Sequence, residues 1–202
     1  MKKLIGFTLI EMLMVICIIG LIAALAVPAF GPKQRTYRLN SAADNLANAI
    51  EFARQHAMAN GRECYVIFPV SSSIDANYQC RAYKLYTGES AVYTDETVSY
   101  SFSSTTGISV GKWEFLPTGL QFDSTSTALA GDDLIVPFPE DADAGVAMKY
   151  LECKTGGGIV IGHERGTPSS LKIVCSDDTS IFQNVTFDNT PAKVRVKDIG
   201  ET

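Results

Sequence analysis

Glu11 is the one charged residue in an apolar run that extends from Phe7 to Phe30. A plain membrane anchor has no use for its carboxylate, and an ionisable side chain inside an apolar span is a functional element by default. It stands four residues after Phe7, one helical turn in. A cut between Gly6 and Phe7 would place a new α-amino group at the head of this helix. That cation would oppose the helix macrodipole in a setting with little water, and so would need an anionic partner. Glu11 of a neighbouring copy supplies one when such helices pack side by side. The chemistry this pattern points to is charge pairing between chains.

Other residues capable of chemistry are sparse. There are two histidines, His56 and His163. No nucleophile elbow, phosphate loop, dinucleotide fingerprint or C-x-x-C pair occurs. His163-Glu164-Arg165 reads as an exposed turn, and Gly156-Gly157-Gly158 as a tight hairpin. Glu140, Asp141 and Asp143 before Gly145 have oxygen ligands suited to calcium, yet lack the twelve-residue loop and its closing glutamate. A solvated acidic loop is the expectation. No catalysis, metal or cofactor is therefore expected. Lys193, Arg195 and Lys197 alternate with valines, which puts the three cations on one face of a strand. An edge strand whose cations discourage aggregation is the expected reading, with contact to DNA phosphates as the functional alternative.

Five cysteines divide between the apolar run, with Cys17, and the remainder, with Cys64, Cys80, Cys153 and Cys175. In a domain exported past a membrane, the latter four imply two disulfides with three possible connectivities. Neighbour pairing, Cys64–Cys80 and Cys153–Cys175, closes the shortest loops and is the expected one.

Several elements must position these groups. As a helix, residues 7–30 would extend ~36 Å, enough to cross a bilayer core of ~30 Å with some tilt. Two other readings compete: a secretory signal peptide with Lys2 and Lys3 ahead of it and Ala24-Leu25-Ala26 as its cleavage site, or a simple anchor. The run is longer than a usual signal and carries a glutamate, which argues against the first. Beyond Lys33, Leu39, Ala42, Ala43, Leu46, Ala49, Ile50, Ala53 and Ala57 recur at helical spacing, and Gly61 is placed to cap the helix. A sheet laid on this alanine-rich stripe is the expected partner. The basic cluster Lys33, Arg35 and Arg38 reads as a membrane-surface or solvated face.

From Cys64 onward the pattern is of strands: 64–68, 78–86, 98–102, 112–116, 134–138, 146–151, 158–161, 171–175, 181–187 and 194–199, separated by Gly, Ser, Thr, Asp and Pro. The fold class expected is α+β, a long N-terminal helix against an antiparallel sheet or sandwich. A net charge of −5 and a pI near 5.0 argue against a globally basic nucleic-acid-binding protein.

Met1-Lys2-Lys3-Leu4-Ile5-Gly6 followed by Phe7-Thr8-Leu9-Ile10-Glu11 resembles the prepilin leader and mature start of type IV pilins and type II secretion pseudopilins. The resemblance implies cleavage after Gly6 by a prepilin peptidase, N-methylation of Phe7, and use of Glu11 in filament assembly. Pro28 falls where many pilins carry a helix-bending proline, whereas Pro32 beside Gly31 departs from the pattern. The segment from Ala43 to Ala57 resembles a helix of the GspH/FimT class, and Trp113-Glu114-Phe115-Leu116-Pro117-Thr118-Gly119 is similar to that class's F-x-P-x-G turn.

The implied layout is a leader at 1–6, a transmembrane and filament-core helix at 7–30, its amphipathic continuation at 31–61, and a β-rich, pilin-like head at 62–202. The implied role is that of a minor pilin in the tip or priming complex of a type IV pilus, a prepilin peptidase substrate rather than an enzyme. Its implied partners are other minor pilins or pseudopilins, the major pilin and the inner membrane, with the head in the periplasm. The four cysteines of the head look more like pilus minor pilins than secretion pseudopilins, so a type II secretion subunit is the first alternative. Some members of the FimT group bind DNA through basic residues near the C-terminus during natural transformation, which makes Lys193, Arg195 and Lys197 the site of a second.

Overall fold

The structure, a computed structural model, describes residues 8–71, 74–88, 92–94, 97–101, 108–129, 133–138, 145–161, 169–189, 192–197 and 200–201, with the backbone path alone at 24–33, 92–94, 97–101, 108, 137, 161, 169, 188–189, 192–193 and 200–201. It divides into two compact units, Met1–Arg38 and Leu39–Thr202. One helix, α1 (Leu9–Asn60), contributes to both.

In the second unit α1 runs along the core on a stripe one turn wide. Leu39, Ala43, Leu46, Ile50, Ala53 and Ala57 are each fully buried, at the three- and four-residue spacing that puts them on one face. The helix ends as its chemistry requires. Gly61 takes a left-handed conformation (φ 62°), and the Asn60 side-chain amide donates to the His56 carbonyl at 3.0 Å.

The remaining elements are strands and one short 3-10 helix. They are β1 (Cys64–Phe68), β2 (Ala82–Thr87), β3 (Val92–Thr94), β4 (Thr97–Ser101), β5 (Ile108–Phe115), β6 (Leu120–Phe122), η1 (Thr127–Leu129), β7 (Asp133–Pro137), β8 (Gly145–Cys153), β9 (Ile159–Ile161), β10 (Ser169–Cys175), β11 (Ile181–Asn189), β12 (Ala192–Val196) and β13 (Gly200–Glu201). An eight-stranded sheet has the order β3-β4-β7-β8-β1-β2-β5 with β9 beside β8, and a five-stranded sheet the order β12-β11-β10-β6 with β13 beside β11. The pairs are antiparallel except β4 with β7, which is parallel. The α+β class is therefore as expected, with one sheet mixed rather than purely antiparallel.

Two apolar clusters flank the larger sheet. The first joins the α1 stripe to Cys64, Val66, Phe68, Leu85, Leu151 and Cys153, and also takes in Phe122, Ile173 and Phe187 of the smaller sheet. The second covers the opposite face with Tyr65, Ile67, Tyr86, Leu134, Met148 and Tyr150, closed by Ile74 and Tyr78. Both faces of β1 are therefore buried, which explains why its sequence, CYVIF, is apolar throughout instead of alternating.

One expected strand begins later than its alternation suggests. Residues 78–81 form a turn rather than the start of β2. Asp75 organises it: its carboxylate accepts the Asn77 N–H at 2.8 Å and its carbonyl accepts those of Tyr78 and Gln79. Cys80 then adopts a left-handed conformation (φ 54°), incompatible with a strand.

Candidate functional site

The first unit presents α1 with its apolar side chains uncovered. Every described side chain from Thr8 to Ala23 is exposed, Leu9 by 84% and Ile16 by 68%. Glu11 is the sole charge there. A helix apolar all round is covered by lipid or by other helices in its working state. Among the described residues no helix is long and apolar enough to cross a membrane. The expected span at 7–30 includes residues outside those described, and so do the Gly6–Phe7 junction and the side chain of Pro28.

Glu11 is engaged at the helix start. Its Oε2 accepts the Thr8 N–H at 3.3 Å and the Thr8 hydroxyl at 3.2 Å, while its own N–H donates to Thr8 Oγ1 at 3.3 Å. This is a reciprocal capping box, which satisfies two donors that a helix N-terminus otherwise leaves orphaned. The T-x-x-E spacing of Thr8 and Glu11 is its signature. The residue singled out for pairing between chains is here engaged within its own chain.

Neither expected disulfide is present in the structure. Cys64 opens β1, whereas Cys80 lies beyond the far end of that strand, its N–H donating to the Pro69 carbonyl at 2.8 Å. Five residues of extended chain separate the two by roughly 16 Å, against a limit near 7 Å for a bridge. Loop length favours that pairing, but strand register forbids it. Cys153 and Cys175, the other expected pair, belong to different sheets, on β8 and β10. The residue directly opposite Cys64 on β8 is instead Cys153.

Around that point lies a charged network. Lys154 Nζ meets Glu63 Oε1 at 3.1 Å and is paired with Glu152, and the Tyr65 hydroxyl donates to Glu63 Oε2 at 2.8 Å. Burial pushes the Glu152 carboxyl above its ordinary range, aided by the Glu63 charge and opposed by Lys154. For Glu63, burial is outweighed by hydrogen bonds from Tyr65 and Lys154, and its carboxyl is held below the usual range.

The basic strand is β12, at the edge of the smaller sheet. Val194 and Val196 pack towards the core, while Arg195 and Lys197 are exposed. In register Lys193 opposes Asp188 and Arg195 opposes Thr186. Arg195 faces away from Val194 and Val196 as the alternation implies and the strand lies at the edge, but Lys197 follows the end of β12 and the side chain of Lys193 lies outside those described.

The remaining candidates do not converge. His56 lies beside Phe52 on α1, ring centroids 5.9 Å apart. Glu140, Asp141, Asp143 and His163-Glu164-Arg165 fall outside the described residues. Among the described residues no group of three His, Cys, Asp or Glu side chains is arranged to hold a metal. The turn at 154–158 is a hairpin, with the Lys154 N–H donating to Gly158 O at 2.8 Å. An open groove of about 550 Å³ runs between Asn45, Asn48 and Phe52 of α1 and Val110 to Glu114 of β5.

Comparison with known proteins is thin. No family profile matches the chain, and no curated protein matches it. Among solved structures, the minor pseudopilin EpsH from the Type 2 Secretion System of Vibrio cholerae is similar, with 15% sequence identity and a TM-score of 0.43. The match covers 80% of this chain and 97% of that one. A likeness that loose leaves the chain's role to be argued from its own residues.

Proposed function

We propose that this chain is a minor pilin, a structural subunit of the tip or priming complex of a type IV pilus. It is inserted in the inner membrane, processed between Gly6 and Phe7 by prepilin peptidase, N-methylated at Phe7, and assembled through its N-terminal helix with other minor pilins and the major pilin. The observation that carries this is the uncovered apolar stretch of α1 from Leu9 to Ala23, with Glu11 as its single charge. A type II secretion pseudopilin is the same design in another machine. The four cysteines of the head favour the pilus.

The capping box makes the test sharper. Glutamine occupies the same capping position as glutamate but carries no charge. Glu11→Gln therefore keeps the cap and removes the charge, whereas Glu11→Ala removes both. Expected is loss of filament incorporation, scored by immunoblot of sheared filaments, in both variants. Normal incorporation of Glu11→Gln alongside failure of Glu11→Ala would assign Glu11 to helix capping and overturn the charge-pairing role. Mass spectrometry of the mature N-terminus checks processing. A methylated Phe7 is expected, and a start at Val27 would instead mark a cleaved signal peptide.

A second reading has its own support at the edge strand β12, where Arg195 is exposed, as is Lys197 just after the strand. If the chain retains DNA, replacing Lys193, Arg195 and Lys197 by alanine lowers retention in a low-salt shift assay. Each cation withdrawn from a phosphate also makes the salt dependence shallower. Unchanged retention, or none in the parent chain, ends that reading.

A further inference from the structure

We propose that Cys64 and Cys153 are the partners of a disulfide that staples β1 to β8 at the centre of the larger sheet. This bond is independent of the filament role argued above.

Three observations carry it. The antiparallel register places Cys64 directly opposite Cys153, followed by Tyr65 opposite Glu152 and Val66 opposite Leu151. Directly opposed residues of an antiparallel pair have Cα atoms about 4.5 to 5.5 Å apart, inside the 4.4 to 6.8 Å that a disulfide accepts. Secondly, both side chains belong to the cluster under α1, with Ala53 and Ala57, so they project from the same face of the sheet. Both thiols are fully buried there. Thirdly, the register is pinned on either side of the pair. Lys154 Nζ reaches Glu63 across the two strands at 3.1 Å, and the Tyr65 hydroxyl lies 3.4 Å from Glu152 Oε1. A slip by one residue would break both interactions and turn the two sulfurs to opposite faces.

The chemistry is a two-step exchange with a disulfide oxidant, here glutathione disulfide. The Cys64 thiol loses its proton, and the thiolate attacks one sulfur of the oxidant and displaces one glutathione thiolate. The Cys153 thiolate then attacks the Cys64 sulfur of the mixed disulfide and displaces the second glutathione. Two thiols are oxidised to one disulfide, and glutathione disulfide is reduced to two thiols that take up the two protons.

The order of events follows from burial. In the folded chain, desolvation pushes the Cys64 thiol up to about 12, and that of Cys153 is raised as well. Neither sulfur offers a thiolate or a path to an oxidant once α1 lies over it. The bond therefore forms while β1 and β8 are paired and the helix has not yet docked, and docking then shields it from reductants.

The test uses the full chain in detergent, refolded in a glutathione redox buffer, alkylated in denaturant and digested with an endopeptidase that cuts after Asp and Glu. Cleavage at Asp75 separates Cys64 from Cys80. Expected is a linked peptide pair joining Cys64 to Cys153. Linkage of Cys64 to Cys80 or to Cys175, or alkylation of both Cys64 and Cys153, would overturn the proposal. A second measurement is thermal melting with and without dithiothreitol. The bridged residues are nearly ninety apart in sequence, so reductant added during refolding lowers the melting temperature of the parent chain by about 10 °C. The same reductant leaves Cys64→Ala/Cys153→Ala unchanged. An equal loss in that double variant would place the stabilising bond elsewhere.

Discussion

One helix is solvated in two ways in this molecule. Between Leu39 and Asn60, α1 buries a stripe of Leu, Ile and Ala and turns Asp44, Asn45 and Asn48 outward. Between Leu9 and Ala23 its side chains are apolar on all sides, apart from Glu11, and exposed on all sides. The first segment finds its solvent inside the chain, in the sheet it lies on. The second can find it only in other molecules, whether lipid tails or helices of neighbouring subunits. On the proposed function, stability of the head and competence for assembly are therefore written into different halves of one element, and substitutions ought to separate them.

Matched truncations give the largest expected contrast. Leu46→Ala removes a fully buried side chain from the stripe and leaves a cavity beneath the helix. It is expected to destabilise the head by about 2 to 5 kcal/mol in urea unfolding of the full chain in detergent micelles. Ile16→Ala, at an exposed position, is expected to leave that transition within about 0.5 kcal/mol. Its effect is expected in filament incorporation instead. An equal loss of head stability from both substitutions would break the comparison, because it would mean that the two halves report one packing.

A smaller effect is expected where the helix ends. Gly61 has φ 62°, and a methyl group added to it meets nothing within 4 Å. Gly61→Ala therefore adds only the backbone strain of a left-handed alanine, about 1 kcal/mol. The measured loss, read from the same urea transition, sharpens the division: it belongs to the head alone, and incorporation is expected to be unaffected. A loss several-fold larger would mean that the cap also holds the entry to β1.

The amphipathic stripe was legible because its buried positions, from Leu39 to Ala57, recur with helical spacing, and spacing is a local property. The β1 run was legible for the same reason; the turn at Pro117 to Gly119 came from the family resemblance, and Gly119 takes a left-handed conformation there (φ 87°). What sequence could not show is which distant residues meet. Nothing local in Cys64 or Cys153 marks them as opposed, because that depends on β8 threading between β7 and β1. The β4–β7 pairing is equally non-local. The start of β2 was misplaced for another reason: alternation from Tyr78 to Leu85 is real, but Asp75 offers the backbone a competing set of hydrogen bonds. The capping role of Glu11 was readable from T-x-x-E. The apolar surroundings of the carboxylate masked it, because they pointed so strongly to a partner outside the chain.

The smallest effect concerns the head's own buried acid, the counterpart to Glu11 in the exposed segment. Glu152 is 3% exposed, and burial raises its carboxyl above the ordinary glutamate range. Between that ordinary value and the raised one, the folded state holds a proton that the unfolded chain has released, so the stability it contributes at low pH is lost as pH rises through this window. Glu63 works in the opposite sense. Its carboxyl is held low, so its contribution is present above the ordinary range and lost as pH falls below it. In Glu152→Gln the amide oxygen still accepts from Lys154, but the titration is gone. Denaturation midpoints measured at pH 4, 5.5 and 7 are therefore expected to decline towards neutrality more steeply in the parent chain than in the variant. Parallel curves would show that Lys154 fully compensates the buried charge, and that the head tolerates an acid in its interior without the outside partner proposed for Glu11.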